Sequence, residues 1–555
     1  MPEQLRLSGV SFRYPGASRD ALVEVEVVAR PRRRISIMGN LGSGRSTLVQ
    51  AMCGVVPSLT GGSMTGEVRY GRADLADHPV STISEYIALV LQDPESQLLS
   101  RTVAEDVALG PRNRGLAVGE VLARVRAGLA AVGLSGSEGR ATCELSGGEA
   151  QRLAIAGVLA MDPEVLCLDQ ATARLDSVGA AAVERVCTDL VGAGCCVVSV
   201  DGDPAVAARA DELWVMSGGR VEIVPPLEML GDADTCAARG IRPLPVAQLM
   251  TEVRARCIDA SQPPPLMDVT GVVTWAAGLA DGCPADVTRL PRGGEVVAVF
   301  EDVSFSYDGT RPVLCGLDLE IRAGQLLGLV GPNGSGKSTL VKMLNGLLRS
   351  TSGRVLLKGT DVARIDAGEL ARQVGFCFQI PSRQLFNPRV DREIGCALRH
   401  QGVPRKEVRR RVGEVMERLG IVELAGCNPL ILDAAQQQLV ALASALVHEP
   451  ILLVVDEPTA TQDWPGTRRI MELLEAERDR GVAVIMISHD EELLGWHADR
   501  VVRLKEGRVV ADGAPGHVLD TQAVRVWRSL FPGAAPASDT AATAAALAKM
   551  AGGNR

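Results

Sequence analysis

The chain has 555 residues, of which 46% are hydrophobic and only 3% aromatic, and its formal net charge is −9. The aliphatic composition favours buried parallel strands covered by helices. The negative charge argues against general nucleic-acid binding, which needs many Lys and Arg to neutralise phosphates. The start, Met1 to Arg6, has no signal-peptide-like apolar stretch, and no segment approaches the roughly 20 apolar residues that cross a bilayer. We therefore expect a cytosolic protein.

An internal repeat dominates the chain. Four pairs of residues that hold the same place in the two halves are each separated by 287 positions, without a gap between them. These pairs are Gln92 and Gln379, Leu145 and Leu432, Asp169 and Asp456, and Gly202 and His489. A repeat of this length indicates duplicated domains rather than a solenoid of roughly 20- to 50-residue units.

Composition and periodicity predict four segments. We expect a first domain over residues 1–258, a Pro/Gly-rich linker over 259–295, a second domain over 296–532 and an Ala-rich tail over 533–555 that is disordered. Within the domains, β-like and helical stretches alternate, as in Leu326–Val330 followed by Ser338–Leu344. This order predicts an α/β fold whose ligand binds at the carboxyl ends of parallel strands.

The first half contains a glycine-rich loop, Gly39-Asn-Leu-Gly-Ser-Gly-Arg-Ser-Thr47. Such a loop between a strand and a helix presents backbone N–H groups to phosphates. We expect the following loop residues to contact a nucleotide: Gly42, Ser43, Gly44, Arg45, Ser46 and Thr47. Arg45 stands where the second half has Lys337, and a planar guanidinium is not equivalent to an ammonium group.

Four further positions complete the predicted first-half site, and one of them departs from a catalytic pattern. They are Tyr14, Gln92, Asp169 and Gln170. Gln170 cannot accept a proton, although it follows Asp169 where the second half has Glu457, and Gly202 stands where the second half has His489. This site is therefore expected to bind ATP weakly or without turnover.

The second half carries the intact version, Gly331-Pro-Asn-Gly-Ser-Gly-Lys-Ser-Thr339. The predicted nucleotide contacts are Asn333, Gly334, Ser335, Gly336, Lys337, Ser338 and Thr339. Lys337 is placed to reach the β- and γ-phosphates, and Ser338 offers a hydroxyl to Mg²⁺. A purely structural glycine turn is the alternative.

Three strand ends supply the rest of the second-half site. Ile451–Val455 delivers Asp456 to the metal and Glu457 to a water molecule as general base, and Val484–Ile487 leads to His489, which can hold the γ-phosphate or that water. Gln379 follows Val374–Phe378 and can touch Mg²⁺. Each of these residues, taken alone, could have a purely structural role. Their order along the chain after a phosphate loop favours the functional role.

Tyr307, in Ser-Phe-Ser-Tyr, is placed to stack on adenine, with a core tyrosine as the alternative. The expected catalytic residues are thus Lys337, Gln379, Glu457 and His489, and the expected metal ligands are Ser338, Gln379 and Asp456.

The most specific pattern is Leu145-Ser-Gly-Gly-Glu-Ala-Gln-Arg152, which opens an apolar helix. With the loops above, it resembles the ABC-type ATPases, here with two nucleotide-binding domains in one chain. The resemblance implies in each domain a mostly parallel sheet core, an antiparallel β part and a helical subdomain. It also implies that Ser146, Gly147, Gly148 and Asp176 complete the ATP site of the opposite domain, with Mg²⁺ as cofactor.

The second half has lost this pattern and reads Leu432-Asp-Ala-Ala-Gln436, which places the carboxylate of Asp433 where a hydroxyl would meet the γ-phosphate. Only pairing of the first half with the second combines an intact signature with an intact catalytic loop. We therefore expect heterotypic pairing of the two domains. It can occur within one chain or between two, and the covalent link favours the former.

The segments after Gln92 and Gln379 resemble those of the energy-coupling-factor subgroup, which powers uptake of vitamins and of cobalt or nickel ions. Ile380 departs from the Asp or Asn usual there. The resemblance implies partners that are integral membrane coupling and substrate-binding proteins, no nucleic acid, and a position at the cytoplasmic face of the membrane. The alternatives are a tandem ATPase of a sugar importer and a soluble ABC ATPase acting on ribosomes or nucleic acid.

Overall fold

The computed structural model describes residues 3–172, 175, 177–245, 247 and 294–519. The chain divides into two compact units, Met1–Leu244 and Pro245–Arg555. The predicted tail and nearly all of the predicted linker lie outside the described residues, so the proposed domain boundaries stay predictions.

The first unit contains a four-stranded antiparallel sheet in the order β2-β1-β4-β5 and a six-stranded, mostly parallel sheet in the order β10-β9-β3-β8-β7-β6. Its strands are β1 (Leu5–Arg13), β2 (Leu22–Ala29), β3 (Arg34–Gly39), β4 (Ser63–Tyr70), β5 (Ala73–Asp74), β6 (Ile87–Val90), β7 (Val165–Asp169), β8 (Cys196–Val200), β9 (Glu212–Ser217) and β10 (Arg220–Val224). Its helices are α1 (Arg45–Met52), α2 (Val55–Ser58), α3 (Val80–Ile83), α4 (Val103–Asn113), α5 (Val118–Ala131), α6 (Gly147–Leu159), α7 (Ser177–Ala193), α8 (Pro204–Ala207), α9 (Pro226–Leu230) and α10 (Ala233–Ala238).

The second unit repeats this plan, with sheet orders β12-β11-β14-β15 and β16-β17-β18-β13-β19-β20. Its strands are β11 (Val296–Ser306), β12 (Pro312–Arg322), β13 (Leu326–Val330), β14 (Ser352–Leu357), β15 (Thr360–Asp361), β16 (Val374–Cys377), β17 (Leu452–Asp456), β18 (Ala483–Ile487), β19 (Arg500–Lys505) and β20 (Arg508–Gly513). Its helices are α11 (Lys337–Leu344), α12 (Ala367–Gln373), α13 (Val390–Ile394), α14 (Cys396–His400), α15 (Arg405–Leu419), α16 (Ala434–Leu446), α17 (Trp464–Asp479), α18 (Glu491–His497) and α19 (Pro515–Val518).

The predicted α/β class is confirmed, and the central strands explain it. Every residue of β7, β8, β13, β17 and β18 is buried, which requires continuous aliphatic runs because helices cover both faces of a parallel sheet. Four predicted elements differ by one residue from the observed bounds, namely the helix after the second loop, β16, β17 and β18. The helix after the second loop begins at Lys337 because Gly336, with φ of 99°, supplies the left-handed residue before it, and β17 extends to Asp456.

A separate helical layer lies beside each parallel sheet. In the first unit α4, α5 and α6 pack together around Val107, Val125, Leu129 and Leu153, all of them buried. In the second unit α15 and α16 pack around a similar aliphatic core. In both units this layer presents the start of α6 or α16, where the signature sequence or its altered counterpart lies.

The cores of the two units differ at one buried polar cluster. In the first unit, Arg34 on β3 forms an ion pair with Glu184 on α7, and Ser199 on β8 donates a hydrogen bond to Asp201, just beyond the strand. Arg34, Ser199 and Asp201 are all buried. The corresponding positions of the second unit carry Leu326, Met471, Met486 and Ser488. The first unit therefore buries charge where the second is mostly aliphatic.

Burial raises the pKa of Asp201 from 3.8 to about 6, with Ser199 and Arg34 opposing that rise. Because the folded state binds this proton more tightly than the unfolded state, stability is lost as pH rises from about 4 through 6. The full loss amounts to about 3 kcal/mol at most. We expect Asp201→Asn to remove this loss and to raise the Tm of the first unit relative to wild type at pH 7.5, but much less at pH 4.

Scanning calorimetry from pH 4 to 7.5 measures this difference. An offset in Tm that is the same at every pH would show that Asp201 does not change protonation in this range.

Candidate functional site

The glycine-rich loop of the second unit joins β13 to α11, and its shape depends on left-handed glycines. Gly331, Gly334 and Gly336 have φ values of 146°, 77° and 99°. A Cβ on Gly331 would lie 2.2 Å from the carbonyl oxygen of Leu504, so no other residue fits there. The loop thereby turns its N–H groups and the start of α11 toward one pocket, which suits an anion.

The loop lies beside a cavity of about 330 Å³, and the structure brings most of the predicted second-half residues to its wall. The lining residues are Tyr307, Val313, Asn333, Gly334, Gly336, Lys337, Ser338, Thr339, Gln379, Asp456, Glu457, Ile487 and His489. Ser335, the remaining predicted loop residue, is buried beneath the loop, and its Oγ has no hydrogen-bond partner among the described residues. The sequence prediction and the cavity wall thus coincide closely.

Lys337 is folded back onto its own loop. Its Nζ donates to the carbonyl oxygens of Gly331, at 2.7 Å, and Pro332, at 2.9 Å. The ammonium group of Lys337 thus stabilises the loop from inside. A phosphate in the pocket offers Lys337 negatively charged oxygens instead, so an ion pair would replace the bonds from the ammonium group to neutral carbonyls.

Neighbouring strands deliver the other reactive groups. Asp456 ends β17, Glu457 follows it, and His489 lies two residues beyond β18. The backbone N–H of Glu457 donates to the carbonyl of Ile487 at 3.0 Å, and Glu457 has a φ of 51°. This turn brings its Oε1 to 3.6 Å from Nε2 of His489. A carboxylate and an imidazole thus face the same space.

The Glu457 carboxyl group has a strongly raised pKa. Burial, followed by the adjacent charge of Asp456, raises its pKa to about 8, while Lys337 opposes the rise. Its Oε1 is buried without a hydrogen-bond donor among the described residues. A base whose pKa lies near the working pH combines useful occupancy with proton affinity. The group can therefore accept a proton from a water placed in this pocket.

The oxygen donors suit Mg²⁺, which prefers hydroxyl, carboxylate and water ligands. Oγ of Ser338 donates to Oδ2 of Asp456 at 3.1 Å, so the two predicted ligands are already together. Burial raises the pKa of Asp456, and the hydrogen bond from Ser338 and the charge of Lys337 lower it. Gln379 lies exposed on the same cavity wall. These residues fit a magnesium nucleotide.

Tyr307 is 64% exposed, which rules out the core-tyrosine alternative. Its ring meets Phe305 edge-on with centroids 4.8 Å apart, and its hydroxyl lies 3.2 Å from Oγ1 of Thr339. The ring is therefore held at the mouth of the cavity with one face available to stack on a nucleobase. Tyr14 makes the equivalent contact to Thr47, also at 3.2 Å.

The first unit keeps the shape of this site. Gly39, Gly42 and Gly44 have φ values of 153°, 72° and 99°, close to those of the second loop, and Ser46 donates to Asp169 at 3.0 Å. Burial raises the pKa of Asp169, against the hydrogen bond from Ser46 and the charge of Arg45. The backbone frame for phosphate and metal is thus present in both units.

The chemistry of the first unit differs at the base and the histidine. Nε2 of Gln92 donates to Oε1 of Gln170 at 2.9 Å, so the two amides satisfy each other where the second unit has a buried carboxyl. Gly202 is exposed and offers no side chain. The arrangement contains no proton acceptor at this position. Sequence reasoning found the substitutions but not the Gln92–Gln170 hydrogen bond.

The signature sequence forms a capped helix start. The hydroxyl of Ser146 accepts from the N–H of Glu149 at 3.3 Å, and the Glu149 carboxylate accepts from the N–H of Ser146 at 2.9 Å. Burial alone would raise the pKa of Glu149, but hydrogen bonds from Arg140 and Ser146 lower it to about 2. Ser146 and Gly147 are exposed and Gly148 is buried. Because the Glu149 carboxylate is paired with Arg140 at 2.7 Å, the exposed start of α6 can still receive an anion.

In the second unit Asp433 takes the place of Ser146. Its Oδ1 accepts from the N–H of Gln436 at 2.8 Å, and its side chain is exposed at the start of α16. The helix end therefore carries its own anion, which opposes a second one nearby. Asp176, the remaining predicted contact, lies outside the described residues.

Each unit also exposes an apolar side chain on the loop after its glutamine. Leu99 is 75% exposed and Phe386 is 71% exposed. The N–H groups of Leu99 and Ser100 donate to the buried carboxylate of Asp106, both at 2.8 Å. In the second unit the N–H groups of Phe386 and Asn387 donate to the buried carboxylate of Glu393.

Asp106 and Glu393 were missed by sequence reasoning. They are separated by the same 287 positions as the other pairs. An acidic residue at the same position of both repeats was therefore the sequence signal that could have identified them.

The model of the ABC transporter family matches residues 22–173 and 314–460. Among curated proteins, an ABC transporter ATP-binding protein of Methanosarcina acetivorans is 33% identical, over 93% of this chain and 87% of its own length. One of Caldanaerobacter subterraneus is 31% identical, over 96% of this chain and 95% of its own length.

Among solved structures, cbiO1 of Clostridium perfringens, described as part of the ABC transporter complex cbiONQ, is 33% identical. The match covers 40% of this chain and 90% of that one, with a TM-score of 0.38.

The pKa of Glu457 generates a prediction about nucleotide hydrolysis. If Glu457 is the base, it acts only when deprotonated, and kcat/KM reports the pKa of the free protein. We expect kcat/KM for ATP to rise roughly tenfold per unit from pH 6 to 7 and to level off near pH 8. Steady-state phosphate release across this range is the measurement.

Glu457→Gln is the control, and it should abolish turnover while ATP binding persists. A kcat/KM that stays flat from pH 6 to 8, or substantial hydrolysis by Glu457→Gln, would remove Glu457 from the role of base.

Proposed function

We propose that this chain, which belongs to the ABC transporter family of ATP-binding proteins, is the ATP-hydrolysing motor of an energy-coupling-factor-type importer. Its cargo in that case is a vitamin or a transition-metal ion. The protein is a tandem ABC ATPase with both domains in one polypeptide. One of its two ATP sites is competent and the other is degenerate.

The observation that carries this proposal is the second-unit cavity. It combines Lys337, the Ser338–Asp456 pair and the raised-pKa carboxyl of Glu457 beside His489. Mg²⁺ supplies charge neutralisation on the phosphates when it is bound. The residues of the chain then hold the phosphates, orient a water and accept its proton.

The first-unit site retains nucleotide but does not hydrolyse it. Its loop has the backbone of the competent one, and Arg45 keeps a positive charge there. In contrast, the amide of Gln170 is already bonded to Gln92 and cannot act as a base. A site of this kind contributes binding energy to the assembly without a chemical step.

Heterotypic pairing of the two domains follows from what each unit carries. The first has the open helix start at Ser146 and no base, whereas the second has the base and an anion at Asp433. A composite site needs one contribution of each kind, and only unlike units supply both. The exposed hydroxyl and N–H groups at the start of α6 are the donors we assign to the γ-phosphate.

Replacing Ser146 with Ala and Gly148 with Asp should therefore reduce ATP hydrolysis at least 100-fold, because donors to the γ-phosphate are lost and an anion is added. The matched changes in the second unit, Asp433→Ala and Ala435→Asp, should change turnover less than threefold. Steady-state hydrolysis by the purified chains is the measurement. Unchanged turnover after the first pair of substitutions would sink the heterotypic arrangement.

The importer assignment is supported by the loops after Gln92 and Gln379. Their exposed Leu99 and Phe386 are held on backbone fixed by buried carboxylates, as expected for residues that meet a client rather than a core. No helix within the described residues is long and apolar enough to cross a membrane. From the exposed loop residues we propose that separate integral coupling and substrate-binding proteins bind here and hold the chain at the cytoplasmic face.

Leu99→Asp with Phe386→Asp should remove co-purification of small hydrophobic membrane proteins, because charges replace the apolar contacts, while ATP hydrolysis by the isolated chain persists. Affinity purification from detergent-solubilised membranes, followed by mass spectrometry, identifies the partners and their cargo class. Val118→Asp is the matched control, since Val118 is 77% exposed and belongs to α5 rather than to either loop.

Two results would contradict the assignment. Capture of sugar-importer subunits would move the chain to that transporter class. Salt-sensitive association with ribosomes, unaffected by the two Asp substitutions, would replace transport with a soluble role.

A further inference from the structure

The phosphate loop of the first unit is held from outside by a segment that follows β10. After α10 the chain turns at Arg239 and Gly240 and passes the side chain of Asn40, the second residue of the loop. The end of the Asn40 amide that faces this segment meets only acceptors, so its nitrogen is assigned there, where it donates to the carbonyl oxygens of Arg239, at 3.2 Å, and Gly240, at 2.9 Å. One amide group thus joins the loop to this segment by two hydrogen bonds.

The contact requires glycine at position 240. Gly240 has a φ of 64°, and a Cβ built there would lie 1.8 Å from the terminal amide of Asn40. Any other residue would be strained there, and its Cβ would displace the side-chain amide of Asn40. Glycine at position 240 therefore allows the backbone of this segment to approach the loop closely.

The segment is itself firmly anchored. Arg239 makes two hydrogen bonds to Glu222 on β10, at 2.6 and 3.3 Å. Ile241 and Leu244 are each 2% exposed, and the N–H of Leu244 donates to the carbonyl of Leu230 at 3.0 Å. A buried, hydrogen-bonded segment can transmit its position to the loop that it contacts.

The second loop is braced differently. There Lys337 bonds the carbonyl oxygens of Gly331 and Pro332 from inside the loop, and Pro332 holds the place of Asn40. Proline has no side-chain donor and could not make the Asn40 contact. The first unit has Arg45 in place of the lysine, and a planar guanidinium is not equivalent to a compact ammonium. The external contact to Asn40 is thus present in the unit whose loop carries arginine instead of lysine.

We propose that Asn40 and Gly240 are positioning residues that keep the first loop in its phosphate-binding shape and so preserve nucleotide affinity at the site without the lysine. This inference rests on the proposed retention of nucleotide by the first unit. Nucleotide binding to a preformed loop avoids the cost of ordering it. The segment acts on the loop and touches no phosphate.

Photoaffinity labelling of the full chain with radiolabelled 8-azido-ATP, followed by proteolysis, tests this because it reports each unit separately. In Asn40→Ala, half-maximal labelling of the first unit should need roughly tenfold more nucleotide, as expected for the loss of two hydrogen bonds. Gly240→Ala should act in the same direction. Labelling of the second unit should not change in either variant and serves as the internal reference.

Gly115→Ala is the matched control, because Gly115 has a φ of 72° but open space around its Cβ position. It carries similar backbone strain without touching the loop and should label as wild type does. If Gly240→Ala fails to fold, Asn40→Ala alone decides, since it only shortens one side chain.

Equal labelling of wild type and Asn40→Ala in the first unit would overturn the proposal and leave retained nucleotide intact. No labelling of the first unit in wild type would instead refute retention itself.

Discussion

The close packing of a glycine backbone against a neighbouring strand fixes both phosphate loops. A Cβ on Gly39 would lie 2.3 Å from the carbonyl oxygen of Met216, and one on Gly331 would lie 2.2 Å from that of Leu504. This steric constraint concerns the fold of each unit rather than its chemistry. It explains why the first unit keeps a loop with nearly the same backbone angles, although Arg45, Gln170 and Gly202 have changed the groups around it.

Folding and catalysis place different requirements on the position held by Glu457 in the second unit and by Gln170 in the first. Glu457 is buried next to Asp456, and its raised pKa reflects the unfavourable transfer of a charge from water. A neutral amide at the equivalent Gln170 avoids that penalty and gains a hydrogen bond from Gln92. Loss of the base is thus structurally favourable wherever turnover is not selected. Retention of a carboxyl group at Glu457, despite this penalty, indicates that the group has a function.

The sequence predicted the parts of this site that depend on local order. Strand, loop and helix alternate so regularly that Lys337, Asp456, Glu457 and His489 follow from the rule that carboxyl ends of parallel strands share an edge. The Gln92–Gln170 bond, the inward fold of Lys337 and the Asn40–Gly240 contact were not predictable in this way. Each depends on side-chain directions or on packing between distant segments, which periodicity and spacing do not encode.

The ion pair of Arg34 and Glu184 has an evolutionary consequence. The equivalent partners in the second unit are Leu326 and Met471, so each unit is consistent only with itself. A recombination that copies one half of the gene onto the other, with a crossover between these positions, would bury a lone charge at a cost of roughly 3–5 kcal/mol. Such products would fold poorly and be lost. The two partners must therefore be exchanged together if the buried contact of either unit is to be kept.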